Sequence, residues 1–482
     1  MADNLHVDVD SSLDSAASSL ILVPAAQPSC ATKLAPEMWC DIWSLLEQHE
    51  LVRVTHVCSY WRSQALGCAL LWSHIKFLAV IHLKCIGRSC HCRTGRKAGN
   101  NLAQVREWLV RSKEAPLSVG LCFYPAVFAF EGYQQVGFFQ KLGREVGDAF
   151  SPHHRRLQSL TFVFGDPIFE TCFFDRIGKF PALSYLRLVS PPTNIWALSC
   201  FLPRKVSFPA LREFVADECS WIGGPPTLPS LETLSCLVEY ARSLSSIVSQ
   251  YRNLKVLDVA LLIPHDGNLG SSVIDPQSLA IGLESITFRN VSSAWEPIIA
   301  PLVRKASLKS VRLAYSPDIQ DDMPAVGDLF AGVGHDLHLL VEDSKDDLTV
   351  TAIDAHSITR SLSLPRAIAT MPIDALKLGW TRLPFTSLRT ITLPWILRAA
   401  VVAFDIYAPH LALIRLIVGA TLVGDADHVP AAGRPSFPIL TDLTLIADGG
   451  VTLEVPRAKV DSFVAAISSA PVSIELSGVL LV

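Results

Sequence analysis

His49-Glu50-Leu51-Val52-Arg53 opens like the zinc-binding helix of a metalloprotease, where two histidines one turn apart hold the metal and the glutamate acts as base. Here arginine stands in place of the second histidine, so one ligand alone would face a metal. Gly332-x-Gly334 begins a phosphate-cradling loop, but Leu337 occupies the third glycine's place and no clear strand precedes it. No Gly-x-Ser-x-Gly nucleophile elbow and no Walker lysine occurs. His82, Cys85, Cys90, His91 and Cys92 have the side chains zinc prefers. Structural zinc sites, however, favour Cys-x₂₋₄-Cys pairs separated by a loop, and adjacent ligands strain a tetrahedron. The acidic runs at 318–322 and 342–347 lack the spacing of a calcium loop. The expectation is a chain with no catalytic residue, no cofactor and no metal.

Charge narrows the partners. The 482 residues carry 41 Lys+Arg and 45 Asp+Glu, a net charge of -4. Asp3, Asp8, Asp10 and Asp14 alone account for that excess, because no base occurs in the first thirty residues. The rest is balanced, whereas affinity for nucleic acid needs an excess of bases. The basic groups Lys84, Arg88, Arg93, Arg96, Lys97 and residues 153–156 therefore read as solvated loops, and no nucleic-acid partner is expected. A membrane span needs about 20 uncharged residues. The most apolar stretches are broken by His74, Lys76, His82 and Lys84, and by Asp405 and Arg415, so no membrane partner is expected. With 12 cysteines, none beyond Cys236, and acids where an export signal needs bases, the chain reads as soluble, reduced and intracellular, cytoplasmic or nuclear.

What elements would position functional groups? Residues 1–30, rich in Ser, Ala and Asp, read as a disordered acidic tail. In 31–78, Pro36 suits a first helical position, and Met38, Ile42, Leu45 and Leu46 follow at helical spacing. A second stripe runs Leu51, Val54, Val57, Cys58 and Trp61; Trp61 and Trp72 are the expected bulky fillers. So small a helical piece has a thin core, and its apolar residues serve either that core or a partner. Residues 79–116 read as a linker with the Cys/His/basic loop and a helix.

From 117 to 482 the chain repeats itself. Leu-x-x-apolar-x-apolar occurs ten times, beginning at Leu157, Leu183, Leu211, Leu231, Leu254, Leu283, Leu308, Leu388, Leu411 and Leu440. Five copies carry proline two residues ahead: Pro181, Pro209, Pro229, Pro409 and Pro438. Proline there stops a helix and leads the chain into a strand. Alternation within each copy is the mark of a half-buried strand, and helices are expected near 133–148, 243–250, 295–305 and 460–469. Residues 309–387 are less regular, with strands of divergent copies expected at 338–341 and 375–378. The fold class is α/β: a small helical piece, then an irregular repeat solenoid.

Leu34-Ala35-Pro36-Glu37, then Ile42, Leu45, Val57-Cys58, Trp61 and Leu71-Trp72, resemble an F-box motif. Ala35 departs from it where the family usually has proline. The resemblance implies docking onto a Skp-family adaptor and, through it, a cullin–RING ubiquitin ligase. It assigns the adaptor contact to Leu34, Pro36, Ile42, Leu45 and Leu46, with Val57, Cys58 and Trp61 shared between core and contact. The C-terminal copies resemble leucine-rich repeats, which in F-box proteins read the substrate; the asparagine ladder of that family is not expected here. A protein substrate would meet the outward strand positions Tyr185, Arg187, Glu213, Asp217, Asp258, Arg289, Arg312, Arg415 and Asp442. The implied function is a substrate-recruiting ligase subunit, not itself an enzyme. The alternative is a non-ligase F-box scaffold or signalling adaptor.

Overall fold

The computed structural model describes residues 34–80, 99–124, 134–163, 167–189, 198–199, 205–216, 219–220, 227–262, 282–292, 294–304, 307–316, 329–330, 333–344, 347–365, 385–403, 408–419, 437–448 and 452–482. The expected acidic tail, the Cys/His loop, Asp217 and the strand at 375–378 lie outside them. The chain divides into two units between Leu71 and Trp72.

The first unit holds three short helices, α1 (Pro36–Ser44), α2 (Gln48–Val54) and α3 (Ser59–Gly67). Pro36 starts α1, where its missing N–H costs nothing. The Glu50 carboxylate accepts from the Glu47 backbone N–H at 2.9 Å, closing the start of α2. The Cys58 thiol accepts from the Trp61 N–H at 3.4 Å and caps α3. Trp39, Trp43 and Trp61 meet with ring centroids 4.9–5.5 Å apart. A buried tryptophan removes roughly 150–250 Å² from water, on the order of 4–6 kcal/mol at about 25 cal/mol per Å². That cluster, with Leu51, Val54, Ala65 and Leu71, is the core of the unit.

The second unit is mixed α/β around one sheet of 17 strands. It opens with β1 (His74–Val80), β2 (Gly99–Asn100), α4 (Leu102–Arg111) and β3 (Leu117–Tyr124). Strand β1 pairs in parallel with β3 over its whole length. Residues 74–78 thus belong to the sheet, Trp72 and Ser73 to the second unit ahead of it, and α4 is the crossover between two strands instead of a linker element. Trp72 is fully buried and opens the second unit, where the Arg111 guanidinium lies over its ring at 4.7 Å.

There follow α5 (Gln134–Phe150), β4 (Leu157–Val163), α6 (Pro167–Ile177), β5 (Tyr185–Val189), the short β6 (Leu198–Ser199), β7 (Glu213–Ala216), the short β8 (Cys219–Ser220), β9 (Thr233–Val238), α7 (Ala241–Gln250), β10 (Val256–Leu261), β11 (Ser285–Val291), α8 (Glu296–Val303) and β12 (Ser310–Tyr315). Each of β3, β4, β5, β7, β9, β10, β11 and β12 pairs in parallel with the next. The first leucine of every copy is buried, at the start of its strand for Leu157 and Leu388 and two residues ahead of it for the other eight. A row of rings, edge-to-face from Phe77 through Phe123 and Phe169 to Phe162 and tilted at Phe174, runs through the same core.

Helices α5 and α6 touch through glycine. A Cβ on Gly143 would lie 2.6 Å from the Phe169 carbonyl oxygen, and one on Gly147 2.9 Å from the Arg176 Cβ. Gly143→Val is therefore expected to lower stability by about 2–3 kcal/mol despite removing a helix-interior glycine. Urea unfolding of the two proteins measures it, and an unchanged midpoint would contradict the close approach.

After β12 the order inverts. Strands β13 (Leu337–Asp343), β14 (Asp347–Ile353) and β15 (Thr359–Pro365) form an antiparallel meander. Its last strand, β15, lies beside β12, and its first, β13, lies beside β16 (Leu388–Pro394). The 338–341 strand exists, but β14 runs against the rest, which a run of divergent copies would not produce. Arg360, 1% exposed, stitches the join by donating to the Leu308 and Thr359 carbonyls at 3.0 Å. Parallel pairing then resumes through β17 (Leu413–Val418), β18 (Asp442–Ala447) and β20 (Ser473–Ser477); β19 (Leu453–Val455) stands outside this sheet and pairs in parallel with β21 (Val479–Leu481). Helices α9 (Arg398–Ala403) and α10 (Arg457–Ile467) accompany them.

Candidate functional site

The helical unit leaves an apolar surface uncovered. Met38, Ile42 and Leu45, four and three residues apart, share one side of α1; Trp39 and Trp43 turn to the core from another. Leu45 is 86% exposed, and Met38, Val57 and Leu70 are each more than half exposed. Of the eight residues assigned to the adaptor contact, Pro36, Ile42, Leu45, Val57 and Cys58 are exposed, and Leu34, Leu46 and Trp61 are half-buried. Trp61 belongs chiefly to the ring cluster, and the Cys58 sulfur is engaged as a cap. Met38, Leu66 and Leu70 extend the surface beyond the assigned set. Met38 was legible from its i, i+4 relation to Ile42, whereas Leu66 and Leu70 carry no spacing signal that separates them from core.

On the sheet, strand register decides which outward residues meet. Residues in step across neighbouring strands include Arg187, Val215, Ser235, Asp258, Thr287, Arg312, Ser361, Thr351, Leu340, Thr392, Arg415, Thr444 and Glu475. Four of the expected substrate-facing residues, Arg187, Asp258, Arg312 and Arg415, thus fall on one transverse row. Five strand steps separate Arg187 from Arg312 and five more reach Arg415, about 24 Å each at roughly 4.8 Å per step. Tyr185, Glu213 and Asp442 stand two residues earlier along their strands, with Tyr185 and Glu213 directly paired. Arg289 stands two residues later, beyond Thr287, just before a register shift at Asn290, whose φ of 58° suits an asparagine better than most residues.

Several of these groups are already engaged. Arg289 donates to Asp258 at 2.9 Å and to the Ser235 hydroxyl at 3.2 Å, so this pair is a structural tie as much as a docking group. Arg312 donates to the Ser363 hydroxyl at 3.2 Å. Hydroxyl pairs Thr349–Ser363 and Thr351–Ser361, both at 2.9 Å, join β14 to β15. Nothing in the sequence placed them together, because they depend on the inverted strand order. His338 meets the Thr392 hydroxyl at 3.3 Å; burial, then the charge of Arg415, push its pKa below the ordinary value.

Other chemically suggestive residues turn out to be structural. Glu50 of the metalloprotease-like stretch holds its own helix start. Gly334 donates its backbone N–H to the buried Asp354 carboxylate at 3.1 Å, so it anchors a turn instead of cradling phosphate. Arg156, from the basic group at 153–156, donates to the carbonyls of Ala115 at 2.8 Å, Leu109 at 3.0 Å and Ser112 at 3.2 Å. It closes the C-terminal end of α4. Buried Tyr315 donates to buried Glu296, and burial holds the phenol far above its ordinary pKa.

Among the described residues no three His, Cys, Asp or Glu side chains gather as a metal site, and no helix is long and apolar enough to cross a membrane. The zinc-type residues 82–92 lie outside that set. No protein-family model matches the chain, and no curated protein matches it.

Proposed function

We propose that the chain is a substrate-recruiting subunit of a Skp–cullin–F-box ubiquitin ligase. In this reading the helical unit is an F-box that docks a Skp-family adaptor. The parallel strands on either side of the β13–β15 meander are leucine-rich-repeat-like copies that hold a protein substrate. One observation carries the reading: Met38, Ile42, Leu45, Val57 and Leu70 lie uncovered on a unit of fewer than fifty residues whose core is already closed by three tryptophans. Leaving that much apolar surface in water is costly for so small a piece, and a partner surface removes the cost. The motif at 34–72 names the kind of partner. The spaced cations Arg187, Arg312 and Arg415 support specific pairing with a protein over bulk attraction to a polyanion. Catalysis would belong to the partners, through the effective concentration that tethering creates.

Co-expression of the full chain with a Skp-family adaptor tests this. A stable complex is expected on size exclusion; two separate peaks would remove the ligase reading. Ubiquitylation of a captured protein by the reconstituted ligase then separates this function from that of a non-ligase scaffold.

A further inference from the structure

A polar cleft opens at the edge where the parallel strands begin. It measures about 500 Å³ and is lined by Arg212, Ser230, Glu232, Arg252, Asn253, Lys255 and Gly282. Its origin is the repeat itself. The residue after each first leucine stands on this edge, and successive copies place Arg212, Glu232, Lys255, Glu284 and Lys309 there, alternating in charge. Their backbones form a chain of hydrogen bonds, each N–H donating to the preceding copy's carbonyl at 2.8 Å. The side chains pair in twos: Lys255 with Glu232 at 2.8 Å and Lys309 with Glu284 at 3.0 Å. One residue before each leucine, Ser230 and Asn253 donate to the carbonyls of Pro209 and Pro229 at 2.7 and 2.8 Å, which fixes the cleft floor.

Two cations are left over. Arg212 begins the alternating series and forms no ion pair closer than 4 Å among the described residues. Arg252 occupies the slot that proline fills in the two preceding copies, and it too forms no such pair. Three cations against one carboxylate leave the lining two positive charges in excess. That is the complement of a phosphate monoester above its second pKa. A planar guanidinium suits such a group because it presents two parallel N–H bonds to two phosphate oxygens.

We infer that this cleft is a binding site for a phosphate-class dianion, held between Arg212 and Arg252. The chemistry is shared by free phosphate and by a phosphorylated side chain of a partner protein. The site does not depend on the adaptor reading: its test uses the chain alone, so either can fail without the other.

The test is phosphorus NMR of inorganic phosphate and of N-acetyl-phosphoserine amide titrated with the full-length chain. Saturable line broadening is expected for both. Arg212→Ser and Arg252→Ser should each weaken binding roughly five-fold, and together more than about ten-fold. Glu232→Gln removes the opposing carboxylate and should tighten binding several-fold, a gain that a purely structural role would not produce. Lys309→Ser, on the same edge but outside the cleft, should leave it unchanged. Affinity for the phosphoserine derivative should also rise between about pH 5 and 7.5 as its second proton leaves near pH 6; no histidine lines the cleft to imitate that rise. Tighter binding of the phosphoserine derivative identifies a phosphorylated protein as occupant, tighter binding of inorganic phosphate identifies the free ion, and equal binding supports a site that reads the phosphate group alone. No saturable broadening, or broadening that survives in the double variant, overturns the inference.

Discussion

Leu45→Asp is expected to abolish capture of a Skp-family adaptor while leaving the chain folded. Leu45 follows the last turn of α1 and is 86% exposed, so aspartate there loses no packing and is freely hydrated. Exposed substitutions of this kind usually change stability by no more than about 0.5 kcal/mol. In the complex the same carboxylate would be buried against an apolar partner without a counter-charge. A central apolar anchor commonly contributes about 2 kcal/mol or more, so the loss should be at least roughly 30-fold in affinity. Trp43→Ala gives the contrasting case. It removes a ring from the tryptophan cluster at an expected cost of about 3–5 kcal/mol, enough to unfold so thin a unit. Both variants should fail to bind, but hydrogen exchange over residues 36–67 should stay protected in Leu45→Asp and be lost in Trp43→Ala. Undiminished binding by Leu45→Asp would take this side of α1 out of the contact.

The second large effect is expected at Arg156. Its guanidinium satisfies three carbonyls and the Ser112 hydroxyl, all from residues 109–115, and also donates to His153 Nδ1 at 3.1 Å. Arg156→Leu leaves those acceptors facing an apolar side chain at the end of α4. Each stranded buried acceptor costs roughly 1–3 kcal/mol, though water can reach some of them, which puts the total at about 2–4 kcal/mol. Lysine cannot span the same fork, so Arg156→Lys should recover less than half of the loss. Histidine reports independently. Burial, and after it the neighbouring guanidinium, hold the His153 pKa below its ordinary value of 6.5, against a smaller opposing pull from Glu114. Because the folded value is the lower one, the unfolded chain binds more protons on acidification, and stability falls as pH drops below 6.5. In Arg156→Leu the His153 pKa should rise and that part of the acid sensitivity should shrink. Denaturant unfolding at pH 7.5 and 5.5, with imidazole titration by NMR, measures both. An unshifted histidine would show that the guanidinium does not sit against it.

The contrast between Leu157 and Arg156 shows what could be read in advance. Leu157 opens a copy of a motif whose period is local, and the motif placed it at a strand start, where it is fully buried. Its neighbour Arg156 sits in a cluster that looks solvated, because every carbonyl it serves is more than forty residues upstream. Strand β1 was obscured in the same way. His74 and Lys76 alternate properly with Ile75 and Phe77, but the strand's parallel partner lies beyond α4, and no repeat motif marks it. Register was the other hidden quantity. Arg187, Asp258, Arg312 and Arg415 were recognisable as outward residues one by one. Their alignment on a single row required knowing that β15, β14 and β13 intervene in reverse order. For the helical unit, spacing alone left the apolar residues divided between core and partner. The tryptophan contacts and the exposure of Ile42 and Leu45 take these two out of the core, which spacing could not do.

The reversed meander also bears on how the chain reaches this state. Through β12 the sheet can grow by adding each new strand to the one before it in the chain, which keeps the sequence separation of each new contact short. At β12 that route stops, because the next strand in the chain is not the next in the sheet. β15 must cross a span of roughly 40 residues to reach its place, a closure that costs on the order of 3 kcal/mol. The meander's own turns are short, so β13, β14 and β15 can assemble with one another before they dock. Only once they have docked does the outer side of β13 become the template for β16. The sheet is thus two parallel arrays joined by an antiparallel panel. The buried guanidinium of Arg360 ties the start of β15 to the Leu308 carbonyl just ahead of β12, so the seam between panel and array carries a hydrogen bond that neither could make alone.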